Sequence, residues 1–161
     1  MLSQEANRVR CYHEAGHALL ALHLGVRLQD LWPGDIARTR YDQETYTQAS
    51  AHDQALLALG GAVAEEVVFG ERSPDCCTHD FDRLEEILAK LGPKGPCRDE
   101  LRHELEAEAR EVLSRGPFRA ALDVLVEELL KPPFMIAGRW VPELLSRKCS
   151  EVIPFLRVRP Y

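Results

Sequence analysis

The period of apolar residues along the chain changes several times, and each change marks an element. Ala15, Gly16, Ala18, Leu19, Leu20, Ala21 and Leu22 follow one another almost without interruption. That is too continuous for a one-faced surface helix, so the pattern predicts a helix buried nearly all round. Ser3 as cap and Gly25 as terminator set its limits at Gln4 to Leu24. From Val26 to Gln48 the texture turns to strand-favouring residues (Val26, Leu28, Ile36, Thr39, Tyr41, Tyr46, Thr47) around a Pro33-Gly34 break, which predicts a short hairpin or small sheet. An exposed edge there would hold a peptide as an added strand. Equally, the segment would serve only to cover the core, and the pattern leaves both open.

Helical spacing returns with Leu56, Leu59, Val63 and Val67, between a Ser50 cap and Gly70, so a helix is expected over His52–Phe69. Gly60-Gly61 stands in its middle, where each glycine costs about 1 kcal/mol against alanine. The pair predicts a close backbone approach, with the small face around Ala15 and Gly16 as partner. ERSPDCCTHD reads as a link to a helix from Phe81 to Leu91, stopped by Gly92-Pro93. Asp80 and Asp82 then stand at its start, where carboxylates suit the helix dipole. Further helices are expected at Arg98–Arg115, Phe118–Leu130 and Val141–Arg147, followed by an apolar tail from Val152 to Tyr161. Glu104, Glu106, Glu108 and Arg110 read as a solvated helical face.

Within the first helix lies His13-Glu14-Ala15-Gly16-His17, an H-E-x-x-H pattern. Histidines four apart lie one above the other on one helix face, so their imidazoles can share one metal ion, most often zinc. Glu14 sits about 100° round the helix, placed to take a proton from a metal-activated water without being a ligand. Burial strengthens this reading, because buried His and Glu need partners and a metal site would satisfy all three. His23 stands ten residues after His13, but the glycine that would swing it back towards a metal is replaced by Leu20. With the helix unbroken, His23 stays about 9 Å further along the axis than His17, so a structural or exposed role is expected. The third ligand is open on spacing alone. Glu65 or Glu66 would give a His-His-Glu site and Asp80 a His-His-Asp site, while Cys76, Cys77 or His79 would add a softer ligand.

Composition changes the picture little. The chain has 161 residues, 45% hydrophobic, with a net charge of −6, enough for one domain with a sizeable core. No basic stripe points to nucleic acid, and no run of about 20 apolar residues points to a membrane span. Five cysteines (Cys11, Cys76, Cys77, Cys97, Cys149) without a framework spacing read as reduced thiols, and with no signal peptide visible a cytoplasmic location is expected.

HEAGHALLAL resembles the active-site helix of the FtsH family of AAA zinc proteases. GGAVAEEVVFG resembles that family's second helix, and THDFDRLEEILAKL matches the segment that supplies its aspartate ligand. Asp99 to Arg147 is similar to the closing helices, so the resemblance covers about residues 8–147. It implies a mainly α, zincin-like metallopeptidase domain with a small β-hairpin and a C-terminal helical bundle. The whole of 1–161 is then one domain, with a metal-site part over 1–95 and a helical part over 96–161. It further implies His13, His17 and Asp80 as ligands of one zinc ion per chain, Glu14 as general base, and Glu65 or Glu66 as a group orienting a ligand. The chain departs from the family at Ala62, where the family carries arginine, and at His79, where it carries asparagine.

The family couples its protease to an AAA motor behind membrane spans. This sequence holds no GxxxxGK[ST] phosphate loop, so no ATPase activity of its own is expected. The expectation is a stand-alone zinc endopeptidase acting on polypeptide that is already extended, or working beside a separate ATPase or further copies of itself. His79 and Tyr46 are candidates to assist the oxyanion. The alternative is a non-catalytic, metal-bound protein-interaction module derived from such a domain, for which Glu14 would have no purpose.

Overall fold

Helix α1 (Gln4–Leu24) is the axis around which the other elements pack, as the continuous apolar run requires. Every residue from Cys11 to Leu22 is buried. The structure, a computed structural model, describes residues 4–34, 37–92 and 95–161, without the side chains of residues 4 and 74–76. The expected Ser3 cap, Ile36 and Pro93 lie outside the described residues, as does the Cys76 side chain. The fold is mainly α with one small sheet, in the order α1, β1 (Leu28–Trp32), β2 (Arg38–Tyr41), α2 (Gln43–Gln48), α3 (Ala51–Phe69), α4 (Pro74–Leu91), α5 (Pro96–Ser114), α6 (Gly116–Leu129), β3 (Ile136–Ala137) and α7 (Val141–Lys148). Short 3₁₀ turns flank α7.

Helix α1 packs on α3, α6 and β1, and α3 packs in turn on α4 and α5. The core between them holds fully buried Leu19, Leu20, Leu57, Leu59, Leu84, Leu88, Leu105, Leu113, Phe118 and Leu122. Gly25 ends α1 in the left-handed region, φ 78°, the conformation glycine adopts without a Cβ penalty. His23 Nδ1–H donates to the Phe155 carbonyl oxygen at 2.8 Å and the ring meets Phe118 edge-on, the structural role expected of it.

The hairpin is present, with β1 and β2 antiparallel in the register Leu31↔Thr39 and Trp32↔Arg38. It gains a third strand: β3 pairs with β1 on its far side, Leu31↔Ile136, giving the order β2-β1-β3. Two residues more than a hundred positions away carry no local signal of this pairing. The approach is fixed by Gly138, where a Cβ would stand 2.0 Å from the Leu28 carbonyl oxygen. Tyr46 and Thr47, expected to be extended, lie in α2 instead. Asp42 caps that helix, its Oδ1 accepting the Thr45 N–H at 3.0 Å, and a good cap outweighs modest strand propensity over one turn and a half.

A larger correction concerns α4. It starts at Pro74 rather than Phe81, so Asp80 and Asp82 lie well inside it and not at its dipolar end. Proline opens a helix without loss because its missing N–H would be unpaired there anyway. Asp80 is thereby held on a rigid helical face. The solvated face expected on α5 is also only half correct. Glu104 and Glu108 are exposed, whereas Glu106 and Arg110 belong to an ion-pair cluster with Arg72, Arg102 and Glu66.

Candidate metal centre

Helices α1 and α3 come together along small residues. A Cβ at Gly16 would stand 2.3 Å from the Gly60 carbonyl oxygen and 2.4 Å from the Ala64 Cβ. One at Gly61 would stand 2.3 Å from His13 Nε2. The double glycine is therefore what lets α1 lie against α3 and what leaves room for the His13 ring. Its conformational cost is offset by the contact that it permits.

Three side chains from two helices converge in this space. His13 Nε2 lies 2.8 Å from Asp80 Oδ2, His17 Nε2 lies 3.2 Å from the same oxygen, and the two Nε2 atoms are 3.1 Å apart. Each imidazole is committed on its other nitrogen. His17 Nδ1 lies 2.7 Å from the Leu57 carbonyl oxygen, which can only accept, so Nδ1 carries the hydrogen. His13 Nδ1 lies 2.6 Å from Glu65 Oε1, and Glu65 Oε2 accepts the Ser73 N–H at 2.6 Å. With the hydrogens on Nδ1, both Nε2 lone pairs and a carboxylate oxygen face one another. Such an arrangement repels unless a cation or a proton stands at its centre. Two imidazoles and a carboxylate are the donor set that zinc takes, and three protein ligands leave one position open.

Electrostatics agree with that. Burial disfavours the charged form of His13, but hydrogen bonds to Asp80, Cys77 and Glu65 more than reverse it and raise its pKa well above the ordinary histidine value. Burial would raise Asp80, yet the charges and hydrogen bonds of His17 and His13 hold it well below the usual carboxylate range. The cluster seeks positive charge, which a divalent ion supplies more fully than a proton.

The expected residues therefore separate. His13, His17 and Asp80 are brought together. Glu65, only 1% exposed, sits behind His13 and fixes its ring and tautomer, the usual role of a carboxylate behind a ligating histidine. Glu66 points away, to Arg72 and Arg110. Buried Cys77 groups with His13 and Glu65 rather than with His17 and Asp80. His79 is exposed and lines the cleft over the site.

Glu14 is buried beside the pair of histidines, 3% exposed. Its Oε2 lies 2.7 Å from Thr39 Oγ1 on β2. Burial raises its pKa, opposed by His17, His13 and the Thr39 hydrogen bond. A cleft of about 340 Å³ opens above, lined among others by Glu14, Thr39, Tyr41, Tyr46 and Arg83. Thr39 and Tyr41 were not singled out as site residues from the sequence. Their signal was the i, i+2 alternation that puts both on one face of β2. Tyr41 is raised well above the ordinary tyrosine range by burial and by the charges of Asp80 and Glu14, so it keeps its hydroxyl hydrogen.

Comparison with known proteins finds zinc metalloproteases similar to part of this chain. No family model matches the chain. The ATP-dependent zinc metalloprotease FtsH of Rhodothermus marinus is 33% identical over 94 residues, covering 52% of this chain and 13% of that protein. About half of the chain is similar to the FtsH zinc metalloproteases. The ATP-dependent zinc metalloprotease FtsH of Thermus thermophilus is 32% identical over 100 residues, 56% of this chain and 16% of that protein. The chloroplastic ATP-dependent zinc metalloprotease FTSH 1 of Oryza sativa subsp. japonica is 27% identical over 105 residues, 56% and 15%. The matched stretch is thus a small part of each FtsH relative. Among the described residues no helix is long and apolar enough to cross a membrane.

Proposed function

We propose that this chain is a zinc-dependent peptidase, with His13, His17 and Asp80 holding one zinc ion and Glu14 as general base. The observation that carries the reading is the convergence of two Nε2 atoms and one carboxylate oxygen within 3.2 Å of one another, with both Nδ1 positions committed elsewhere. Zinc, when bound, lowers the pKa of a water to about 7 and polarises a carbonyl oxygen. The remaining work falls to the chain's own side chains. Thr39 holds Glu14 Oε2, which leaves Oε1 to take the proton from the attacking water and deliver it to the leaving amine nitrogen. The raised pKa of Glu14 suits a group that must both accept and return a proton. Tyr41, retaining its hydrogen, offers an O–H donor on the cleft wall for charge developing on the carbonyl oxygen. The substrate on this reading is a polypeptide in extended form, since the cleft has room for a few side chains and no more.

The test is cleavage of denatured casein by zinc-loaded protein, wild type against Glu14→Gln. The variant keeps the metal and loses about a hundredfold or more in rate if Glu14 is the base. Equal cleavage by both proteins rejects the mechanism.

A further inference from the structure

The wall of the cleft carries positive charge that the chemistry of peptide cleavage does not use. Among the described residues, the carboxylates lining it are Glu14 and Asp80, both belonging to the site, whereas Arg10, Arg38 and Arg83 line it as well. In a chain whose net charge is −6, this concentration of cations is local. Arg38 is engaged with Asp30 at 3.9 Å and with the Trp32 ring, and Arg10 donates to the Gly34 carbonyl oxygen at 3.2 Å.

Arg83 is placed differently. It follows Asp80 by three residues on α4, so it lies on the same helix face, about 4.5 Å further along the axis. Its guanidinium sits over the Tyr46 ring, 4.6 Å from the centroid, and Tyr46 stacks in turn on Tyr41 at 5.5 Å. Among the described residues Arg83 forms no ion pair with a carboxylate. A guanidinium stacked by its face keeps its N–H donors around its edge, in the fork that matches a carboxylate. The aromatic support also fixes its position, so little side-chain entropy remains to be lost on binding.

Resting on the peptidase reading above, we propose that Arg83 is a specificity residue that receives a substrate carboxylate next to the bond being cut. An offset of about 4.5 Å corresponds to one or two residues of extended peptide at about 3.3 Å each. The carboxylate belongs either to an Asp or Glu side chain of the substrate or to the peptide's C-terminus. The chemistry at Arg83 is the same for both.

Binding to zinc-loaded Glu14→Gln protein separates this proposal from the peptidase reading, because it needs no turnover. Two pairs of hexapeptides labelled with a neutral dye are compared by fluorescence anisotropy. One pair is C-terminally amidated and differs only as Glu against Gln at a central position. The other is free of internal charge and differs only as C-terminal acid against amide. The proposal expects one pair to show about a tenfold preference for the carboxylate member, in line with a charge-assisted bidentate contact. Adding Arg83→Glu to the protein should abolish that preference, and Arg83→Lys should restore part of it. The pair that responds identifies the source. Equal binding within both pairs, or a preference that survives Arg83→Glu, overturns the proposal whether or not wild type cleaves casein. Failure of casein cleavage alongside a preference lost in Arg83→Glu overturns the peptidase reading and leaves the carboxylate site standing.

Discussion

Glu65 and Glu66 are neighbours on α3 and belong to two different regions. Glu65 faces inward, 1% exposed, between His13 Nδ1 and the Ser73 N–H. Glu66 faces α5 and the turn before α4, where Arg110 and Arg72 pair with it and Arg72 reaches on to Glu106. Both regions are polar clusters built on one helix, yet they are held by different physics. The inner one is largely buried, is made possible by glycines, and commits each imidazole Nδ1 to one partner. The outer one is half-exposed and redundant, with several arginines sharing several carboxylates. A buried cluster with one arrangement can set the geometry of a metal site; a wet and redundant one can only contribute modest stability.

Substitutions can break that contrast. The largest effect is expected at the backbone contact beneath the inner cluster. Gly16→Ala places a Cβ 2.3 Å from the Gly60 carbonyl oxygen, and neither helix can yield without moving core leucines. A loss of about 3 kcal/mol or more is expected, read as a fall in Tm or urea midpoint. A variant as stable as wild type would mean that α1 and α3 are further apart than described.

Next is Glu65→Gln. The amide still accepts from Ser73, but it no longer holds the His13 ring with a charge. Zinc affinity should fall about 10- to 100-fold, measured by competition with a chelating dye, with little change in the stability of the metal-free protein. Glu66→Gln should leave zinc affinity unchanged. If the two variants behave alike towards zinc, the division between the regions is wrong.

The outer cluster gives smaller effects. Arg72→Met removes the group shared by Glu66 and Glu106 and should cost about 1 kcal/mol, with zinc affinity intact. Its pH dependence follows from the direction of the shifts. Burial opposes ionisation of both carboxylates, but Arg72, with Arg110 for Glu66 and Arg102 for Glu106, lowers both pKa values. A lowered folded-state pKa means stability that is present above the unfolded value of about 4.3 and lost as pH falls through the folded value. In metal-free protein, the gap between wild type and Arg72→Met should therefore be full at pH 6 and shrink towards pH 3. A gap that widens on acidification would contradict the assignment.

The two regions also differed in how far the sequence disclosed them. His13, Glu14 and His17 announce their geometry because helical spacing is local and rigid. Gly60-Gly61 announced a close approach because the pair has no other use in a helix. Asp80 was named through family resemblance while its setting was misread, since Pro74 in a cysteine- and serine-containing stretch looks like a link until it proves to open a helix. Glu65 and Glu66 could not be told apart, because which of two adjacent residues faces inward depends on the rotation of α3, and that is set by packing against α1. The third strand, the Arg72 cluster and the Tyr41–Tyr46–Arg83 wall depend on contacts between distant segments, for which no local pattern exists.

On the proposed reading His13, His17 and Asp80 hold the metal, and Cys77, which groups with His13 and Glu65, does not. X-ray absorption at the zinc edge of the loaded protein tests it most directly. The account predicts a first shell of nitrogen and oxygen alone at about 2.0–2.2 Å, altered in Asp80→Ala. A sulfur scatterer at about 2.3 Å, present in wild type and lost in Cys77→Ser, would contradict it.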